Sequence, residues 1–166
     1  MSHAEDADEV VSPRVIAIER AMNELTYFSA RARQHERLMS VAGLSLDRSA
    51  AATLRYLADA EPIRAKELAA RLSVEPSHVT RQVQALERTG HVERTRDAED
   101  NRAVLIRLTD TGREAVERMR TASRHGMQQV LADWSDADID QLSSLFRRMV
   151  DDFVAHAEDE SRFRFR

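Results

Sequence analysis

The stretch Ser73-Val74-Glu75-Pro76-Ser77-His78-Val79-Thr80-Arg81-Gln82-Val83-Gln84-Ala85-Leu86-Glu87-Arg88-Thr89-Gly90 sets the architecture of this chain. Pro76 suits the first turn of a helix, where its missing N–H would be unpaired in any case. Val79, Val83 and Leu86 then recur at helical spacing and fall on one face. Gly90 ends the run, so a helix is predicted at about Pro76–Thr89. Just upstream, Leu68, Ala69 and Leu72 mark the apolar face of a short helix at about Ala65–Leu72. Two helices joined by a turn of about four residues form a helix-turn-helix.

In that motif the second helix lies in the major groove of duplex DNA. At about 100° per residue, Ser77, Arg81, Gln84 and Arg88 point away from Val79, Val83 and Leu86, with His78 and Thr80 on the flanks. The outward face is polar and basic, with no Asp or Glu at its centre. Arg81 can donate two hydrogen bonds to guanine, and Gln84 can pair with adenine. Ser77 and Thr80 suit phosphates or base edges, and His78 faces DNA rather than a metal. An ordinary solvated helix face has the same composition, so the helix alone leaves both readings open.

Beyond Gly90 the period changes. Val92, Arg94 and Arg96 alternate with polar neighbours; Val104, Ile106 and Leu108 alternate with Ala103, Leu105 and Arg107. The segment between them, Asp97-Ala98-Glu99-Asp100-Asn101, is rich in turn formers, and the whole predicts a β-hairpin at about Val92–Leu108. Arg94, Arg96, Arg102 and Arg107 lie in or beside it, with Arg102 at the far end of its loop. An arginine at such a tip can enter the minor groove, where narrow DNA concentrates negative potential. Charge that discourages edge pairing is the alternative.

The flanks read as helices. Pro13 opens one amphipathic helix with Val15, Ile18, Met22, Leu25, Phe28 and Ala32 on its stripe, running to about Met39 and stopped by Gly43. Asp47 is a good N-cap for a helix that buries Ala50, Ala51, Leu54 and Leu57 and ends at Glu61-Pro62. Thr109-Asp110 can cap a helix striped by Ala115, Val116, Met119, Met127, Val130 and Leu131 and ending near Trp134. Ser135-Asp136-Ala137-Asp138 resembles a capping box before Ile139, Leu142, Leu145, Phe146, Met149 and Phe153.

The 166 residues carry a net charge of −4. Residues 64–107 hold nine Lys/Arg against seven Asp/Glu, leaving +2 there and −6 elsewhere, so the segment is locally basic. There is no cysteine, which excludes disulfides and thiolate metal sites. The six histidines are scattered without metal-ligand spacing. With no nucleophile–base grouping and no phosphate-binding glycine loop, no catalytic residue, cofactor or metal is expected. No apolar run reaches the length that spans a bilayer, and the acidic N-terminus lacks the pattern of a signal peptide, so a cytoplasmic protein is expected.

From about Asp47 to Gly112 the chain resembles the MarR family of winged helix-turn-helix regulators. The resemblance rests on Glu67-Leu68-Ala69, on Val79-Thr80-Arg81, and on Leu86-Glu87-Arg88-Thr89-Gly90-His91-Val92-Glu93-Arg94. Its most specific part is Asp100-Asn101-Arg102 followed by Leu108-Thr109 and Gly112. It implies a mainly α fold with a small β-wing and intertwined N- and C-terminal dimerisation helices. The parts are then a disordered acidic tail (1–12), an N-terminal dimerisation helix (13–46), the DNA-binding domain (47–112), C-terminal dimerisation helices (113–157) and a flexible Arg/Phe tail (158–166). The outer apolar stripes could also pack within one chain; the resemblance implies a homodimer on a pseudo-palindromic operator.

The same resemblance makes Arg81 the helix arginine near base edges, Arg102 the wing-tip arginine and Asp100 the anchor of the wing, with Arg94 and Arg96 beside them. Arg64 stands where the family often carries a capping Ser or Thr, and is a candidate phosphate contact. A repressor relieved by a small aromatic or phenolic effector is implied, with Tyr27, Phe28, Arg31, His35 and Tyr56 as candidate pocket residues. The alternative is a winged-helix protein-interaction scaffold without specific DNA binding.

Overall fold

The computed structural model describes residues 11–96 and 104–158. The chain runs α1 (Pro13–Ala30), α2 (Ala32–Ala42), α3 (Arg48–Ala60), β1 (Ile63–Arg64), α4 (Ala65–Leu72), α5 (Pro76–Arg88), β2 (Val92–Arg96), β3 (Val104–Leu108), α6 (Asp110–Val130) and α7 (Asp136–Glu158). It divides into two compact units, Met1–Ala122 and Ser123–Arg166.

The first unit is built around the helix-turn-helix and wing. Asp47 caps α3 as expected, its Oδ1 accepting from the Ala50 amide at 2.7 Å. Leu54, Leu57, Leu68, Val79, Val83, Leu86, Val92, Ile106, Leu108, Val116 and Met119 are buried together in one core. Every element from α3 to the first half of α6 thus contributes its apolar face to the same interior. The large buried aliphatic side chains, one to three per helix, stabilise such a domain by roughly 1.5–3 kcal/mol each, before the entropy of ordering them is subtracted.

The wing is a three-stranded antiparallel sheet in the order β1-β3-β2. β2 and β3 pair as the alternation predicts, with Val92 opposite Leu108 and Arg94 opposite Ile106. β1 was not expected from the sequence. It is only two residues long, Ile63 facing Ile106 and Arg64 facing Leu105, too short for any periodicity to show.

The single helix expected from Pro13 to about Met39 is two helices. Arg31 between them is extended (φ −66°, ψ 136°). The carbonyls left over at this break are met from α3: the Arg48 guanidinium donates to Ser29 O at 3.4 Å and Arg31 O at 3.2 Å. A long-range arginine therefore satisfies the groups that an uninterrupted helix would have paired internally. α2 ends as expected at Gly43, which adopts the left-handed conformation (φ 61°).

Arginines of α6 fasten it to the rest of this unit. Arg118 donates to Gly43 O at 2.6 Å, and Arg120 pairs with Asp59 at 2.9 Å and Glu117 at 2.7 Å. The hydrogen bond that Arg120 donates to the Glu117 carboxylate, helped by the charges of Glu117 and Asp59, outweighs desolvation and raises the Arg120 pKa.

α1 buries no residue; Val15, Ile18, Leu25 and Phe28 are all about half exposed. In the second unit α6 stops at Val130 rather than near Trp134. The cap of α7 forms the first half of the expected box and differs in the second. Asp138 N–H donates to Ser135 Oγ at 3.2 Å, while the Ser135 hydroxyl donates to the Asp138 carboxylate at 2.6 Å. Leu142, Leu145, Phe146 and Phe153 of α7 are exposed. Among the described residues no helix is long and apolar enough to cross a membrane.

Candidate nucleic-acid interface

Pro76 occupies the first turn of α5, as its fixed φ allows, and Val79, Val83 and Leu86 are each 2% exposed. That burial fixes the rotation of the helix. Ser77, His78, Thr80, Arg81, Gln84 and Arg88 are consequently all exposed. The turn before it is closed by Ser73, which takes the left-handed conformation at the end of α4 (φ 53°).

The outward residues are not equivalent. The Arg81 side chain makes no hydrogen bond or ion pair among the described residues, so its five donors face solvent. Thr80 donates its hydroxyl proton to Pro76 O at 2.9 Å, which leaves it an acceptor and a poor partner for phosphate oxygen. His78 Nε2 lies 3.2 Å from Ser49 Oγ, tying the start of α5 to the first turn of α3. Glu87 on the flank is paired with Arg94 at 3.1 Å.

This last contact separates the wing arginines. Arg94 ties β2 to the end of α5, whereas Arg96, likewise exposed at the end of β2, makes no ion pair among the described residues. Arg107 lies 3.9 Å from Glu93 across the hairpin. Asp100 and Arg102 fall outside the described residues. Arg64 is exposed at the N-cap of α4 and makes no capping bond with its side chain.

The base of the wing is held by contacts that mostly reach across elements. Thr109 N–H donates to His91 O at 3.1 Å, and the Thr109 hydroxyl donates to Gly90 O at 2.6 Å. Thr109 Oγ1 also accepts from the Gly112 amide at 3.1 Å, capping α6 as Thr109-Asp110 suggested. Glu61 accepts hydrogen bonds from the Leu108 amide and from Arg113, and Arg113 donates in turn to Leu108 O at 3.3 Å. Glu61 and its partners lie 47 and 52 residues apart, beyond any local pattern.

The candidate pocket residues take varied positions. Tyr27 is 74% exposed, and the Arg31 guanidinium lies 5.9 Å from the centre of the Phe28 ring. His35 Nε2 is bonded to Leu46 O at 2.8 Å, and Tyr56 packs partly buried on the core. No group of three or more metal-ligating side chains occurs among the described residues.

The family profile described as MarR family matches residues 46–104. The HTH-type transcriptional regulator YdgJ of Bacillus subtilis (strain 168) is 36% identical over 107 residues, which span 64% of this chain and 64% of YdgJ. The match therefore covers just under two thirds of that relative. YxaD, an HTH-type transcriptional regulator of the same organism, is 30% identical over 131 residues, spanning 79% of this chain and 91% of YxaD. Among solved structures, a MarR family protein from Bacillus stearothermophilus superposes with a TM-score of 0.74 at 22% identity, covering 86% of this chain and 98% of that one. Streptococcus pneumoniae FabT in complex with DNA superposes with a TM-score of 0.64 at 20% identity, again covering 86% and 98%. The buried face of α5, the hairpin that follows it and these likenesses agree that the chain belongs to the MarR family of helix-turn-helix transcriptional regulators.

Proposed function

We propose that the chain is a cytoplasmic, sequence-specific repressor that binds a pseudo-palindromic operator as a homodimer and is released by a small aromatic or phenolic effector. One observation carries the DNA-binding part. Burial of Val79, Val83 and Leu86 turns an unpaired Arg81, with Gln84 and Arg88 beside it, outward on a helix that has no carboxylate on that face. Such a face offers bidentate donors to guanine and acceptor–donor pairs to adenine. Arg96, with Arg102 beyond it in sequence, supplies the wing contacts, and Arg64 and Ser77 hold phosphates. That FabT, a protein of the same fold, was solved in complex with DNA supports a DNA-binding role.

The dimer is supported by the bare apolar stripe of α1 and by exposed Leu142, Leu145, Phe146 and Phe153 on α7. Apolar patches of this kind mark association surfaces. Two-fold symmetry sets the recognition helices about one DNA turn apart, roughly 34–36 Å. The effector is supported by the family resemblance, with Tyr27, Phe28, Arg31, His35 and Tyr56 as its candidate contacts.

Duplexes recovered by the full chain from a random-sequence pool test the proposal. The recovered sites should be inverted repeats, and log affinity should fall linearly with log salt, each neutralised phosphate adding roughly 0.9 to the slope. A chain that recovers no duplex, while still dimeric, is a protein-interaction scaffold instead. Transcription in vitro from a promoter overlapping the recovered site should fall on adding the protein and return with an aromatic acid or phenol. Activation, or indifference to such compounds, rejects that part of the reading.

A further inference from the structure

Leu108 ends the central strand of the wing, with Val92 opposite it on the β2 side. On the other side β1 stops at Ile63, opposite Ile106. Continuing that register places residue 61 opposite Leu108, but the ladder does not continue: Pro62 has no N–H to give, and the backbone of Glu61 is engaged in closing α3 on Leu57 O at 2.9 Å. Leu108 is 2% exposed, so its amide and carbonyl both need partners. The Glu61 carboxylate, itself only 14% exposed, takes the amide with Oε2 and Arg113 Nη1 with Oε1. Arg113 Nη2 returns to the Leu108 carbonyl at 3.3 Å. A side-chain ring thus replaces the missing rung of the sheet and joins the end of α3, the root of the wing and the first turn of α6 at a single carboxylate.

We infer that Glu61 is a positioning residue for DNA recognition: it fixes the angle at which the wing leaves the domain, and Arg113 makes that angle depend on α6. The inference rests on the DNA-binding reading above. Glu61 touches no nucleic acid in this role and acts through Leu108. The carboxylate is required because it must accept from two donors at once. A glutamine at this position has one acceptor oxygen and turns an amide N–H₂ toward a cation.

The test uses the full chain and a labelled duplex that the wild type has recovered from a random-sequence pool. Glu61→Gln should bind it about tenfold more weakly, the scale of one charge-assisted hydrogen bond lost. The hydroxyl-radical footprint at saturating protein should keep its central protections, made by α5, and lose the flanking minor-groove protections, made by the wing. A role confined to general stability weakens all protections together or leaves the saturated footprint unchanged, and either pattern overturns the inference. If Glu61→Gln fails to fold by circular dichroism, Arg113→Gln decides in its place. It leaves the buried carboxylate on the Leu108 amide and removes the tie to α6 together with the guanidinium bond to the Leu108 carbonyl, and the same loss of flanking protection is expected. A wild type that recovers no duplex defeats the DNA-binding reading itself. A wild type that binds, with both variants giving its footprint, defeats only the part played by Glu61.

Discussion

A Cβ built on Gly112 would sit 2.0 Å from the carbonyl oxygen of His91, so the first turn of α6 rests directly on the backbone that enters the wing. His91 O cannot retreat, because it also accepts from Thr109 N–H at 3.1 Å. Gly112→Ala should therefore lower the melting temperature, with a cost of about 1–3 kcal/mol as for other overpacked sites; an unchanged melt would show that the contact relaxes freely. The sequence marked this glycine only through its place in the family's wing spacing, since the clash is with a residue 21 positions away. Arg81 was legible for a simpler reason, because helical periodicity alone puts it opposite Val79, Val83 and Leu86. Its replacement by alanine should cost about 1–3 kcal/mol on the selected duplex and relax the preference at one base pair; equal weakening on random duplex would show that it holds phosphate instead. Thr80 was less legible. Its position on the flank was right, but its hydrogen bond back to Pro76 O is a property of the helix that no side-chain pattern announces.

At the scale of elements, what was readable followed what was local. α3, α4 and α5 each carry their own period, their own start signal or stop residue, and their own apolar face. Asp47 exemplifies this, and Asp47→Ala should destabilise the domain by about 0.5–2 kcal/mol in denaturant unfolding, through the unpaired Ala50 amide. The break between α1 and α2 was not readable, because neither proline nor glycine marks it and the three-to-four spacing runs through it undisturbed. At the break Arg48, from a later helix, takes the carbonyls of Ser29 and Arg31, a contact that no local pattern announces. The wing was readable as a hairpin from its alternation, but not as a three-stranded sheet, since β1 is two residues long. Nor could spacing separate its arginines. Both are exposed, but Arg94 is bound to Glu87 of α5, while Arg96 makes no ion pair among the described residues. Arg96→Ala should accordingly weaken operator binding and lower the salt slope by roughly 0.9 if it holds one phosphate, with the protein's melt unchanged. Arg94→Ala should instead show in the melt, through the loosened join between β2 and α5.

For the whole molecule, the apolar residues the core does not use carry the argument. α1 is 18 residues long and buries none of them, yet it carries Val15, Ile18, Met22, Leu25 and Phe28 along one stripe. A helix that buries none of its apolar stripe has little reason to be stable in water, since most helical stability in proteins comes from burying such a stripe. In the proposed homodimer a second copy of the chain provides that cover, and the pairing in turn gives the DNA interface its affinity. One recognition helix and one wing make a small, mostly polar contact; two such contacts held at a fixed spacing bind as a unit, with the second made nearly intramolecular by the first. Leu25→Glu separates these roles cleanly, because Leu25 is 57% exposed and contributes nothing to the core of the described unit. The variant should retain the helical circular dichroism of the winged domain, run as a monomer in light scattering, and bind the inverted-repeat duplex about 10²-fold or more weakly than wild type. A half-site duplex should be bound by the variant and by wild type with similar affinity, because each supplies one α5 and one wing to it. If Leu25→Glu remains a dimer with full operator affinity, the α1 stripe lies outside the interface, and the symmetry of the operator must have another structural origin.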